Sequence, residues 1–391
     1  MTVLLDSESR LLSDVGEIAR RVAAPAAEEV DRLGRFPAQT VDALRERSAL
    51  SAPVPEALGG AGACTATIAA CCRELGRACG SSAMVFAMHH IQLLTIVRHA
   101  PAGSWFEHYL QRVCSEQRLI ASVTSEVGTG GDMSRSIAAV QRAADGSCAF
   151  EKNAPTVSYG EHADDLLTTL RRSPEAEPGD QVAVLTHASQ HTLEPTGGWD
   201  VLGMRGTCSP GAVVRAAFAP EQVLEEPFAR VAAESMVPLS HVLWSHLWLG
   251  IAEDAFERAR AFVRAAARRT PDQRPASATR LSQLAAELTL LRALVEAGLR
   301  DLERWSQDAE REQLSTPRAA LRFNNLKLAA SQRTRDVCLG ALDVCGIMGY
   351  RNDSPYSVAR HLRDALSAPL MIANERIHQT DAGLLLIAKE L

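Results

Sequence analysis

The chain has 391 residues, 46% hydrophobic and 23% charged, with a formal net charge of −6. This is ordinary globular composition, and the length suits two or three domains. Acidic and basic residues are interspersed, so there is no basic footprint for nucleic acid and no basic membrane-facing surface. The first residues, Met1 to Glu8, carry no basic segment followed by an apolar run, so no secretory signal is expected. No transmembrane helix is expected either. The longest apolar candidate, Val237 to Ala252, carries Ser240, His241, Ser245 and His246 and reads as a buried helix. Nine cysteines at irregular spacings do not fit a zinc site and read as buried free thiols of a reducing cytoplasm.

In chain order, residues 1–118 form a helical domain. The runs Thr67–Gly76 and Ala83–Val97 place apolar residues three and four apart, between breaks at Pro37, Pro53, Pro55 and Gly59-Gly60. Residues 119–230 change texture, with short β-leaning runs at Leu119–Thr124, Ser136–Arg142, Cys148–Glu151, Asp165–Leu170, Gln181–Thr186 and Ala212–Phe218. An antiparallel β-barrel or sandwich is expected there. Residues 231–391 return to helix, with long periods at Val237–Ala267, Ala276–Trp305, Pro317–Cys345 and Arg360–Glu390, as in a four-helix bundle. Ser315 or Thr316 is expected to cap the helix that Pro317 begins. Helices, then strands, then a bundle is an α+β order, neither a (β/α)8 barrel nor a doubly wound sheet.

The stretch Ala121 to Asp132 runs from a strand into the Gly-rich turn Gly128-Thr129-Gly130-Gly131. Small residues there let backbone N–H groups and short hydroxyls approach a planar, anionic ligand. Thr124 to Asp132 resembles the "TEPxAGSD" signature of acyl-CoA dehydrogenases. Trp199 to Ser209 is similar to that family's "W…LGMRGTxS" strand, and Val54 to Gly60 to its "VPxxxGG" entry. Gly346 to Tyr350 and Arg363-Asp364-Ala365 resemble "GGxGY" and "RDA". The motifs occur in family order along nearly the whole chain.

The resemblance implies one FAD per subunit of a homotetramer or homodimer, acting on an acyl thioester carried by CoA or a carrier protein. Electrons would pass to an acceptor flavoprotein or to oxygen. By motif position Thr124 and Ser125 would meet the flavin pyrimidine edge, and Gly130 and Gly131 the pyrophosphate, with Gly131 replacing the usual Ser. Thr156 replaces the family's stacking Trp, and Ser158 keeps a hydroxyl near flavin N5. Arg268 and Thr270 fall at the Arg-before-"FG" motif, which serves the neighbouring subunit's cofactor. Asp343 stands where a Gln usually contacts the adenosine moiety.

Thioester dehydrogenation needs a base for the α-proton while flavin N5 takes the β-hydride. The family's usual Glu position is Ile372 here, and the alternative one reads Ser240-His241. His241 and Glu375 are the candidate relocated bases. His90, Ser240, Met371 and Ile372 are expected on the substrate side. The first functional expectation is a thioester dehydrogenase. A flavin monooxygenase of the same superfamily, served by a separate reductase, and a degenerate FAD-binding subunit stay open.

Overall fold

The computed structural model describes residues 6–269 and 271–388. The N-terminal domain is helical, with its core helices at Thr65–Ala78 and Gly80–His99. The second is long and apolar enough to cross a membrane by composition, yet lies almost wholly inside the molecule. It is therefore read as the core helix of the fold, a different segment from the one singled out by sequence.

Eight strands follow: β1 (Ile120–Val123), β2 (Gln141–Arg142), β3 (Cys148–Ala154), β4 (Asp165–Arg171), β5 (Gln181–His187), β6 (His191–Pro195), β7 (Ala212–Phe218) and β8 (Val223–Leu224). They form two four-stranded sheets, ordered β1-β4-β5-β8 and β2-β3-β7-β6. One expectation needs correction. The domain is not purely antiparallel, because β1 pairs with β4 in parallel, Ile120 opposite Asp165. The run expected at Ser136–Arg142 shrinks to two residues of strand. The preceding segment is held instead by the Glu126 carboxylate, which accepts from Ser136 Oγ at 2.6 Å, Ile137 N at 2.9 Å and Ala138 N at 2.7 Å.

Strands β4 and β5 are buried along almost their whole length, as a sheet covered on both faces requires. Strand β3 alternates, and the period of two turns Lys152 inward. Its ammonium donates to the Thr169 carbonyl at 2.7 Å and Oγ1 at 3.1 Å and to the Thr124 carbonyl at 3.4 Å, with the Glu126 carboxylate 3.8 Å away. Burial pushes this amine down to about 8. The Gly-rich turn thus grows out of a buried, polar-satisfied anchor.

The C-terminal domain contains helices at Val237–Arg269, Ser277–Trp305 and Pro317–Cys345. Thr316 is the N-cap of the last of these and accepts from Ala319 N. The fourth long helix is a further correction. The segment expected as one helix from Arg360 is two, Ala359–Ser367 and Asn374–Leu385. Pro369 has no backbone donor, and Ile372 and Ala373 follow at φ 51° and 42°. A β-branched residue in the left-handed region is rare. The intervening loop is held from beneath by Lys327, which donates to the Met371 carbonyl and Asn374 Oδ1, both at 2.5 Å.

Candidate functional site

A cavity of about 600 Å³ lies where the three domains meet. That is the size of a small-molecule site. The β-domain supplies one wall, with Ser122, Thr124, Ser125, Gly131, Thr156, Ser158, Thr207 and Ser209. Hydroxyls dominate it. Ser125 Oγ donates to the Thr156 carbonyl at 3.2 Å. Ser209 Oγ lies 2.9 Å from both Ser158 Oγ and Thr207 Oγ1, and Thr207 Oγ1 donates to the Met204 carbonyl at 2.9 Å. The single Ser209 hydrogen has three acceptors in reach, the third being the Thr207 carbonyl at 3.2 Å, so Ser158 can donate or accept.

The turn beside this wall needs its glycines. Gly128, Gly130 and Gly131 have φ of 94°, 62° and 79°. A Cβ on Gly131 would collide with the guanidinium of Arg376, which lines the cavity and donates to the Gly131 carbonyl at 2.8 Å. The missing hydroxyl at residue 131 is thereby the space that a cation occupies. Arg376 has no carboxylate partner among the described residues. The cavity's other guanidinium, Arg363, pairs with Asp31.

The opposite wall is helical and largely apolar, with Met84, Met88, Met236, Met371, Ile91, Trp244 and Ile372, and it carries Gln92, Ser240 and Ser367 besides the two guanidiniums. Met133, Met204 and Trp199 come from the β-domain, so six of the eight methionines line the cavity. No Asp, Glu or His among the described residues lines the cavity.

The expected site residues divide accordingly. Thr124, Ser125, Gly131, Thr156, Ser158, Ser240, Met371 and Ile372 come together on the cavity. Gly130 is in the turn but exposed and off the lining. His241 is buried behind Trp244, 6.3 Å between ring centroids, and off the lining. Neither of its ring nitrogens reaches hydrogen-bond geometry, the Phe323 carbonyl offering only a weak contact, and burial pushes it down to about 3. His90 is also off the lining. Its nitrogens face the Phe86 carbonyl at 2.8 Å and the Ala49 carbonyl at 3.1 Å. Two acceptors would favour the charged ring, but complete burial wins and holds it at about 3. Glu375 is exposed and points elsewhere than the cavity.

Arg268 and Asp343 are exposed near the ends of their helices. Arg268 is 28 residues beyond Ser240 on one helix, roughly 42 Å at 1.5 Å per residue, so it cannot serve its own chain's cavity. Thr270 lies outside the described residues. Sequence reasoning missed Arg376, Gln92 and the methionine wall.

The chain matches the family descriptions "Acyl-CoA dehydrogenase, N-terminal domain" over residues 6–117 and "Acyl-CoA dehydrogenase, C-terminal domain" over 230–374. It belongs to the acyl-CoA dehydrogenase superfamily. It is a flavin-dependent oxidoreductase of that superfamily, with the helix–sheet–helix fold. A probable FMNH2-dependent monooxygenase of Pseudomonas putida (SfnC) is 26% identical, over 84% of this chain and 83% of its own. A probable acyl-CoA dehydrogenase of Bacillus subtilis (YngJ) is 24% identical, over 93% and 94%. Among solved structures, FMN-bound TdsC from Paenibacillus sp. A11-2 superposes with a TM-score of 0.82 at 22% identity, over 96% and 97%. Butyryl-CoA dehydrogenase from Megasphaera elsdenii superposes at 0.79 with 18% identity, over 99% and 100%. At these identities the two structural likenesses speak for the fold alone.

Proposed function

We propose that this superfamily member is a monooxygenase using reduced FMN and dioxygen on an apolar substrate, rather than an acyl-thioester dehydrogenase. The observation that carries the reading is the absence of any Asp, Glu or His from the cavity lining among the described residues. Abstraction of an α-proton needs a positioned base within hydrogen-bond reach. Ile372 and Ser240 occupy the lining where the resemblance puts that base, and His241 and Glu375 stand off it. The likeness to a relative named as an FMNH2-dependent monooxygenase supports the same reading.

The residues present fit a flavin. Thr124, Ser125, Thr156 and Ser158 would meet its ring system and Gly131 its phosphate end. Arg376 would supply the positive charge. A phosphate monoester carries about −1.5 to −2 charge near pH 7, and guanidinium suits its oxygens better than ammonium does. This favours FMN over the FAD expected from sequence. Bound there, reduced flavin supplies the electrons that activate dioxygen. The chain's own part is to bind and orient. Ser158, backed by Ser209 and Thr207, holds a proton donor at its Oγ on the flavin side. Met84, Met88 and Trp244 exclude water from the other side.

The test combines the purified chain with FMN, NADH, a flavin reductase and a panel of neutral aromatic compounds. Substrate-dependent oxygen uptake and a product heavier by one oxygen atom are expected. Anaerobic bleaching of the bound flavin by an acyl-CoA, with no oxygenated product, would overturn the reading.

A further inference from the structure

The Gly80–His99 helix turns Met84, Met88, Ile91 and Gln92 to the cavity, a single face at helical spacing. Three of them suit an apolar wall and Gln92 does not. It is 3% exposed, and its Oε1 is sealed from solvent with no hydrogen-bond partner. Facing it, the Val237–Arg269 helix contributes Ser240 and Trp244, one turn apart. Trp244 is 8% exposed, and its indole N–H is likewise sealed and unpaired. Ser240 gives its hydrogen to the Met236 carbonyl at 2.5 Å, which leaves an oxygen lone pair as acceptor.

Two anchors bring these groups to one level. His99 meets Ser235 Oγ at 2.9 Å at one end, and Gly80 packs against Ile251 at the other. The helices are therefore antiparallel, and Gln92 falls level with about residues 240–244. Both guanidiniums of the cavity come from a different segment, Arg363 and Arg376. Buried polar groups are ordinarily paired. A wall that keeps an unpaired acceptor and an unpaired donor at one level suits a partner that offers both.

We propose that Gln92, Trp244 and Ser240 form a neutral hydrogen-bonding subsite that holds the hydroxyl group of an otherwise apolar ring substrate. A hydroxyl donates to Ser240 Oγ, or to the Gln92 oxygen once a half-turn of the amide exchanges its sealed oxygen for its nitrogen, and accepts from the Gln92 amide or, after a rotation of the indole, from the Trp244 N–H. A thioester carbonyl only accepts and would leave the glutamine oxygen unpaired. The three groups of the subsite carry no charge of their own to pair with an ion. The inference deepens the proposed function and names the substrate class of its cavity.

Equilibrium dialysis of the FMN-loaded protein against naphthalene, 2-naphthol and 2-naphthoate tests it. 2-Naphthol is expected to bind about tenfold tighter than naphthalene, and 2-naphthoate more weakly than either. Gln92→Met should bring the naphthol-to-naphthalene ratio to about one and raise the melting temperature of the ligand-free protein by about 2 °C, because an unpaired buried amide is removed. Trp244→Phe should lower the ratio about threefold. A ratio near one in the parent protein, or a ratio that survives both substitutions, overturns the subsite. A tenfold ratio without reductase-dependent oxygen uptake would keep the subsite and sink the proposed reaction. Oxygen uptake on other aromatics with a ratio of one would do the reverse.

Discussion

The two walls of the cavity are built on different principles. The β-domain wall carries the short hydroxyls, several of them paired with one another, and its Gly-rich turn is anchored through Glu126 and Lys152. The helical wall is apolar and unsatisfied, with Gln92 and Trp244 unpaired and His241 behind them. On the proposed reading the first wall would hold the cofactor and the second the substrate.

Acid should separate the two halves most. His89, His90, His99, His241 and His246 all sit on the helical domains and are held at about 3 to 4 by burial. Their unfolded value is about 6.5, so below that pH the unfolded chain takes up protons that the folded one refuses. Stability is present above pH 6.5 and is lost as pH falls toward 4. The loss is about 1.4 kcal/mol per pH unit for each such group. Urea unfolding across this range should show it, and hydrogen-exchange protection should fail first in peptides from 80–99 and 237–250. A flat profile from pH 7 to 4.5 would break the contrast.

Next in size is Arg376→Ala, which should weaken FMN binding about tenfold to a hundredfold in a fluorescence titration. Naphthalene binding to the FMN-saturated variant should stay within about twofold. A smaller contrast sets Ser158→Ala against His241→Ala. The first should lower turnover about tenfold with little change in FMN affinity, since it removes a hydrogen-bonding hydroxyl. The second should change turnover by less than about threefold, and a loss as large as that of Ser158→Ala would restore His241 as a base. The smallest effect is expected at Ala373→Gly. Relief of left-handed strain, about 1–2 kcal/mol, competes with the entropic cost of glycine, about 0.5–1. Thermal unfolding should show stability unchanged or raised by up to about 1 kcal/mol.

Much of the polar wall was legible in the sequence because it is local. A strand, a Gly-rich turn and its short hydroxyls lie within 120–132, and Thr316-Pro317 signals a helix start wherever it stands. The parallel pairing of β1 with β4 was not legible, since strand direction is settled by what packs over the sheet and not by either strand's residues. The base candidates each stand one residue off the lining. Successive helical residues point about 100° apart, so Ser240 meets the cavity while His241 turns into the core, and Arg376 meets it while Glu375 faces out. No spacing rule fixes that rotation before the helix is docked. The methionine wall is scattered from residue 84 to residue 371 and has no linear signature.

That ring of six thioethers also gives the molecule a chemical memory. Thioethers are among the side chains most readily oxidised, each taking one oxygen atom to become a polar sulfoxide. Peroxide released by an unproductive turnover would meet sulfur on several sides before it met bulk water. Mass mapping of sulfoxides after long turnover would therefore chart where oxidant arises, methionine by methionine, with Met348, off the cavity lining, as the internal standard. On the proposed reading, a surface that would adapt to an apolar ring would turn polar as its sulfurs are oxidised, and activity would fade with the number of turnovers.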